Sequence, residues 1–293
     1  MAHFEGGLER SGVAHALSLA TSMACGPKAQ FGSMAKSFHA GLAAQHAVTS
    51  AQLAEVGLEG RMEVLEAPMG FLELFGGNFP PGWENALNGF GDTLAILEHG
   101  VVPKRHPCCA STHKCLDAVI DLRNEHGFMP DEIESVHTTV GSSNARNLSY
   151  ADPQNDREAK FSMQYCIALG LLQDHLRIAD FAPEAIFRPE IRELIPRITM
   201  TAFPVEAERA PIPPDHEVII HLKDGREFKT TRSHPRGTIH DPLDAADRQA
   251  KYIDCVKGKL DNRAANALQD LLATFETIED LGAIMKFLQF EAS

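Results

Sequence analysis

The sequence lacks any excess of positive charge. Lys and Arg number 27 against 40 Asp and Glu, giving a formal net charge of −13. Nucleic acids and anionic membranes are bound through a basic face, so neither is an expected partner. Long apolar runs are missing too. The run AHALSLATSMACG (14–26) is too short to span a bilayer. Glu5 and Glu9 precede it where a secretory leader carries basic residues, so it is read as a buried helix. No internal repeat or low-complexity segment is present. Six cysteines in 293 residues do not make a disulfide framework. Free thiols in a reducing, cytoplasmic setting are therefore expected. Apolar residues at 44% and charged residues at 23% are enough for an ordinary globular core.

Against the acidic background one stretch stands out: PKRHPCCASTHKC, residues 103–115. It places Lys104, Arg105, His106, His113 and Lys114 beside three cysteines. Zinc sites use four ligands, usually in two spaced pairs. Cys108 and Cys109 are adjacent, and no second pair lies nearby, so no metal is expected. Cys108, Cys115, Cys166 and Cys255 read instead as buried small hydrophobes. Pro107 breaks the chain, and STHKCLDAVIDL then starts a helix with Ser111 or Thr112 as N-cap. Free N–H groups at such a helix start favour an anion, here a carboxylate. The competing reading makes Lys104 and Arg105 a solvated surface pair and His113 a cap residue.

The chain is helical at both ends and mixed in the middle. Residues 9–25 and 34–58 have helical texture, the latter as one helix or two. GGNFPPGWENALNGFG (76–91) reads as a loop. A strand is expected near 134–141, a helix over 158–173, and a helix leading into a strand over 190–203. HEVIIHLKDGREFKTTR (216–232) alternates around Asp224-Gly225 and predicts a hairpin with a two-residue turn. Helices return over 242–289. The order implies an α+β protein, a helical domain carrying an inserted mixed domain.

Several blocks together resemble the MmgE/PrpD family. They are MAKSFHAGLAAQHAVTSAQLAEVGLEG, LEAPMGFLELF, PKRHPCCASTHKCLDA, EAKFSMQYCIALGLL and GTIHDPLDAADRQAKYIDCV, in family order over about residues 11–275. The resemblance implies a partial all-helical domain over 1–101 and 241–293, with an α/β lid over 102–240. It implies a lyase, a dehydratase or decarboxylase, that takes a small di- or tricarboxylate such as 2-methylcitrate. The reaction would be proton transfer next to a carboxylate, with no metal or organic cofactor, in a homodimer. An epimerase of the same family is an alternative. By the same resemblance Lys36, Lys104 and His113 would be catalytic, and His39, Arg105 and Cys109 would bind substrate. Read without the family, His39 is a helix-packing histidine. Cys109 stands where the decarboxylases carry histidine, and one of their tyrosines is replaced near Asn147. Relatives also carry a helical portion before the point at which residue 1 falls. The chain would then work with a separate N-terminal half, persist as an inactive remnant, or only bind carboxylates.

Overall fold

The computed structural model describes residues 7–30, 33–76, 85, 88–208 and 210–289. The chain folds as two compact units, Met1–Glu98 and His99–Ser293. The fold is α+β. Among the described residues, no helix is long and apolar enough to cross a membrane.

In the first unit, α1 (Arg10–Ser22) packs against α2 (Ala35–Glu55), followed by the short α3 (Phe71–Gly76). α1 is less buried than its apolar sequence predicts, since only Ala16 and Ser18 are covered. Ser18 Oγ donates to Arg61 O at 2.7 Å, and His15 Nδ1 lies 3.0 Å from Gly60 O. These bonds tie α1 to the turn after α2. Residues 34–58 give one helix, α2, and Ser50 is its only covered residue among those described. Most of the expected loop over 76–91 lies outside the described residues. A short helix, α4 (Ala95–His99), follows it.

The second unit is built on a four-stranded sheet in the order β2-β1-β3-β4. β1 (Ile133–Val140) runs parallel to β2 (Ile198–Ala202) and antiparallel to β3 (His216–Leu222), which pairs with β4 (Glu227–Arg232). Ile133, Val136, Val140, Val218, Ile220 and Leu222 are buried and form the sheet's core side. Two helices, α5 (Ala110–His126) and α8 (Met163–Leu172), supply much of the rest of that core, and Leu148, Phe181, Ile186 and Ile191 add to it. The two helices approach closely because Gly170 has no side chain. A Cβ there would lie 2.5 Å from Leu116 Cδ1.

Between β1 and β2 run α6 (Ser142–Asn147), α7 (Asp156–Lys160), α8 and α9 (Pro189–Leu194). The expected single helix over 158–173 is broken at Phe161, where Ser162 caps α8 by accepting from Tyr165 N at 3.1 Å. The hairpin turn is one residue longer than expected. Gly225 N–H donates to Leu222 O and Leu222 N–H to Arg226 O, so Lys223, Asp224 and Gly225 form the loop. Gly225 takes φ 90°, the positive-φ position of a three-residue hairpin. After β2 comes α10 (Val205–Glu208), and after β4 come α11 (Ala245–Val256), α12 (Asn262–Ala273) and α13 (Gly282–Met285). The last expected helix shrinks to that four-residue turn. Residues 241–289 group with the sheet in the second compact unit.

Candidate functional site

Pro103 to Cys109 lead into α5 and form a sharp corner. Cys109, not Ser111 or Thr112, is the N-cap residue. Its backbone is extended, and no side chain caps the helix there. Thr112 instead sits inside the first turn, where its Oγ1 donates to Cys109 O at 2.8 Å. Cys109 N–H donates to Lys160 O at 2.9 Å, which fastens the corner to the end of α7. A second clamp is Gly237, at φ 104°, where a Cβ would meet Pro103 O at 2.2 Å. Only glycine permits that approach.

Lys104 is exposed, and its Nζ donates to Cys108 O at 3.0 Å. Cys109 is half-buried. His113 is buried on α5, with its ring edge-on to His106 at 5.3 Å between centroids. His113 Nε2 has no hydrogen-bond partner among the described residues. Asn147, at the end of α6, donates to Ser111 Oγ at 3.1 Å and so joins the same corner.

Behind the corner lies a buried ionic cluster centred on Asp117. Its carboxylate receives His106 Nε2 at 3.1 Å, Arg105 Nη1 at 3.4 Å and the backbone N–H of Arg236 at 2.8 Å. Burial alone would raise its pKa. The His106 hydrogen bond, the Arg236 N–H and the Arg232 charge outweigh burial and hold it at about 2. His106 goes the other way, since burial lowers its pKa despite the bond to Asp117. The pair is therefore a neutral imidazole donating Nε2–H to an ionised carboxylate, and His106 Nδ1 is left without a partner among the described residues. Arg105 also donates from Nε to Asp247 Oδ1 at 2.8 Å, with 8% of its side chain exposed. Its guanidinium is spent on two carboxylates.

The cysteines differ among themselves. Cys108, Cys115 and Cys166 are buried, but Cys255 is exposed on α11, contrary to its reading as a core residue. The solvent-facing side of an amphipathic helix holds it there. Burial pushes the Cys115 thiol up to about 12. Burial works against the Cys108 thiolate too, yet hydrogen bonds with Cys166 and His113 hold its pKa well below an ordinary thiol. Among the described residues, no group of three or more His, Cys, Asp or Glu is arranged to hold a metal ion.

Of the residues singled out in the sequence, Lys104, Arg105, Cys109 and His113 share this corner of the second unit. Lys36 and His39 lie three residues apart on α2 of the first unit, both half-buried, with Gly26 against the His39 ring. Sequence reading missed the cluster behind the corner. Asp117 carried a signal, since it is an acid within the apolar stripe Leu116, Val119 and Ile120. Its partner Arg236 lies far along the chain and carried none.

A model of the MmgE/PrpD C-terminal domain matches residues 106–277, and one of the MmgE/PrpD N-terminal domain matches residues 6–84. The chain is similar to the cis-aconitate decarboxylase of Homo sapiens, 27% identical over 297 residues, covering 97% of this chain and 59% of that protein. The cis-aconitate decarboxylase of Mus musculus is 26% identical over 299 residues, covering 97% of this chain and 58% of its own length. The chain thus spans about three-fifths of the length of these curated relatives.

Proposed function

The chain belongs to the MmgE/PrpD family, and from that premise we propose that it serves a lyase acting on a small di- or tricarboxylate. The observation that carries this reading is the corner at the start of α5. It combines an exposed ammonium at Lys104, a buried imidazole at His113 whose Nε2 is unpartnered among the described residues, and an ionised carboxylate behind them at Asp117. Removing a proton beside a carboxylate needs a cation to hold that carboxylate and a group to take the proton. Lys104 holds the carboxylate, reaching it by exchanging its bond to Cys108 O for one to substrate. His113 Nε2 takes or returns the proton. Asp117 acts through His106, fixing its tautomer and packing it against the His113 ring. Cys109 in place of the decarboxylase histidine favours dehydration of a substrate such as 2-methylcitrate over decarboxylation of cis-aconitate.

The test is turnover of 2-methylcitrate, citrate and cis-aconitate by the purified chain. His113→Ala is expected to lower kcat by about 10²-fold or more, the usual worth of a positioned acid or base. Lys104→Ala is expected to raise KM most. Wild-type rates in both variants would remove the corner from the mechanism.

A second reading is that turnover requires a further polypeptide, a second copy or a separate N-terminal half. The exposed Phe38 and Val48 of α2, with Val56 just past its end, favour it. Turnover that appears only on adding the matching portion of a relative would support it. Light scattering that shows an active monomer would end it.

A further inference from the structure

A cavity of about 350 Å³ opens on the second unit, between the segment His175–Ile178 and helix α11. That volume suits a small ligand. Its lining holds four cations, Arg105, Arg177, Lys251 and Lys257, against two carboxylates, Asp247 and Asp254. The carboxylates are already engaged. Asp247 takes the Arg105 Nε–H at 2.8 Å, and Asp254 accepts the Ile178 N–H at 2.8 Å. Arg177, Lys251 and Lys257 have no carboxylate partner within salt-bridge distance among the described residues. Two positive charges are therefore in formal surplus, with the His175 imidazole beside them. Such a surplus is unexpected by chance in a chain of net charge −13. Leu176, Ala250 and Ile253 give the cavity an apolar wall.

We propose that this cavity is a second ligand site, separate from the α5 corner, that takes a small organic polyanion. Its anionic groups meet Arg177, Lys251 and Lys257, and its carbon skeleton lies on the apolar wall. Lys104, Cys109 and His113 do not line it. One tie leads from it to the corner, since Arg105 contributes to the lining and also bonds the Asp117 that holds His106. A ligand that shifts Arg105 would be felt at the corner, and by linkage substrate would be felt in the cavity.

The cavity carries its own reporter. Cys255 lines it and is exposed, while Cys25 is exposed in the first unit. Alkylation of the purified chain by N-ethylmaleimide, read peptide by peptide by mass spectrometry, follows both thiols together. With citrate as probe, Cys255 is expected to slow severalfold and Cys25 to keep its rate. The protection is expected to disappear in Lys251→Glu and in the milder Lys251→Gln, with unchanged far-UV circular dichroism, and to persist in Lys104→Ala. Inorganic phosphate at the same ionic strength is expected to protect less, because it has nothing to lay on the apolar wall. The proposal is overturned by protection that sodium chloride or phosphate matches, by protection that survives Lys251→Glu, or by protection that Lys104→Ala abolishes. Equal rates with and without citrate overturn it as well.

Discussion

α2 and α8 make an instructive pair. α2 has 21 residues, and among those described it buries only Ser50. α8 has 10 residues and buries every one except the last. Length alone does little for a helix, because most helical stability in proteins comes from the surface covered by neighbours. α8 is apolar all round and lies between α5, α7, α9 and β2. α2 is rich in alanine, packs mainly on α1, and leaves Phe38 at 62% and Val48 at 44% exposed. The difference extends to the units that hold them. The second has one continuous core, whereas the buried apolar residues described in the first are Ala16 and Leu72. The α5 corner belongs to the well-packed second unit.

The comparison can be pressed hardest at Asp117. Asp117→Ala strips the carboxylate from Arg105, His106 and the Arg236 N–H, and breaking a buried pair in this way costs about 3–5 kcal/mol. Urea denaturation should show that loss in the second unit. A core truncation comes next. Ile167→Ala should cost about 2–5 kcal/mol, while Val48→Ala on α2, at 44% exposure, should cost no more than about 0.5 kcal/mol. Equal losses would erase the distinction between the helices. Removing the α8 cap is milder, with Ser162→Ala expected to cost about 1 kcal/mol. The smallest effect is expected at Val56→Thr, within about 0.5 kcal/mol of wild type.

Acid sharpens the contrast by another route. Burial lowers the pKa of His106 and takes that of His216 down to about 4. Both are neutral in the fold and titrate near 6.5 when unfolded, so below that pH the unfolded chain binds more protons. Stability of the second unit should fall as pH drops from about 6.5 toward 4. Asp117 acts lower, its share being complete above about 3.8 and lost as pH approaches about 2. Hydrogen exchange resolved by peptide at pH 7 and pH 5 should show β3 loosening first, and His216→Leu should flatten the trend. No difference between the two pH values on β3 would contradict the burial of His216.

What the sequence makes legible is local. The hairpin over 216–232 is readable because the alternation Val218, Ile220, Leu222 and the Asp-Gly pair sit side by side. His113 is readable as a candidate because the family blocks contain it. The break at Phe161 is hidden, since the apolar texture runs through it and only Ser162 marks the new start. The ionic cluster is hidden for a different reason. Asp117, Arg236 and Asp247 meet only after the chain has folded back on itself. Arg105 shows the cost of judging from neighbours, because its place beside Lys104 conceals that its guanidinium turns inward.

The sheet order has a consequence for how the chain is made. Val136 on β1 pairs with Ile198 on β2 and with Ile220 on β3. During translation β1 therefore leaves the ribosome well before either neighbour exists. Its Ile133, Val136 and Val140 side chains must wait, along with two unpaired backbone edges, until Leu222 has emerged. Strand pairing over such separations is slow and leaves sticky surface open in the interval. Helix α5, already complete when β1 appears, is the natural temporary cover, so the element that begins at the Pro103–Cys109 corner would also act as chaperone to the strand that follows it.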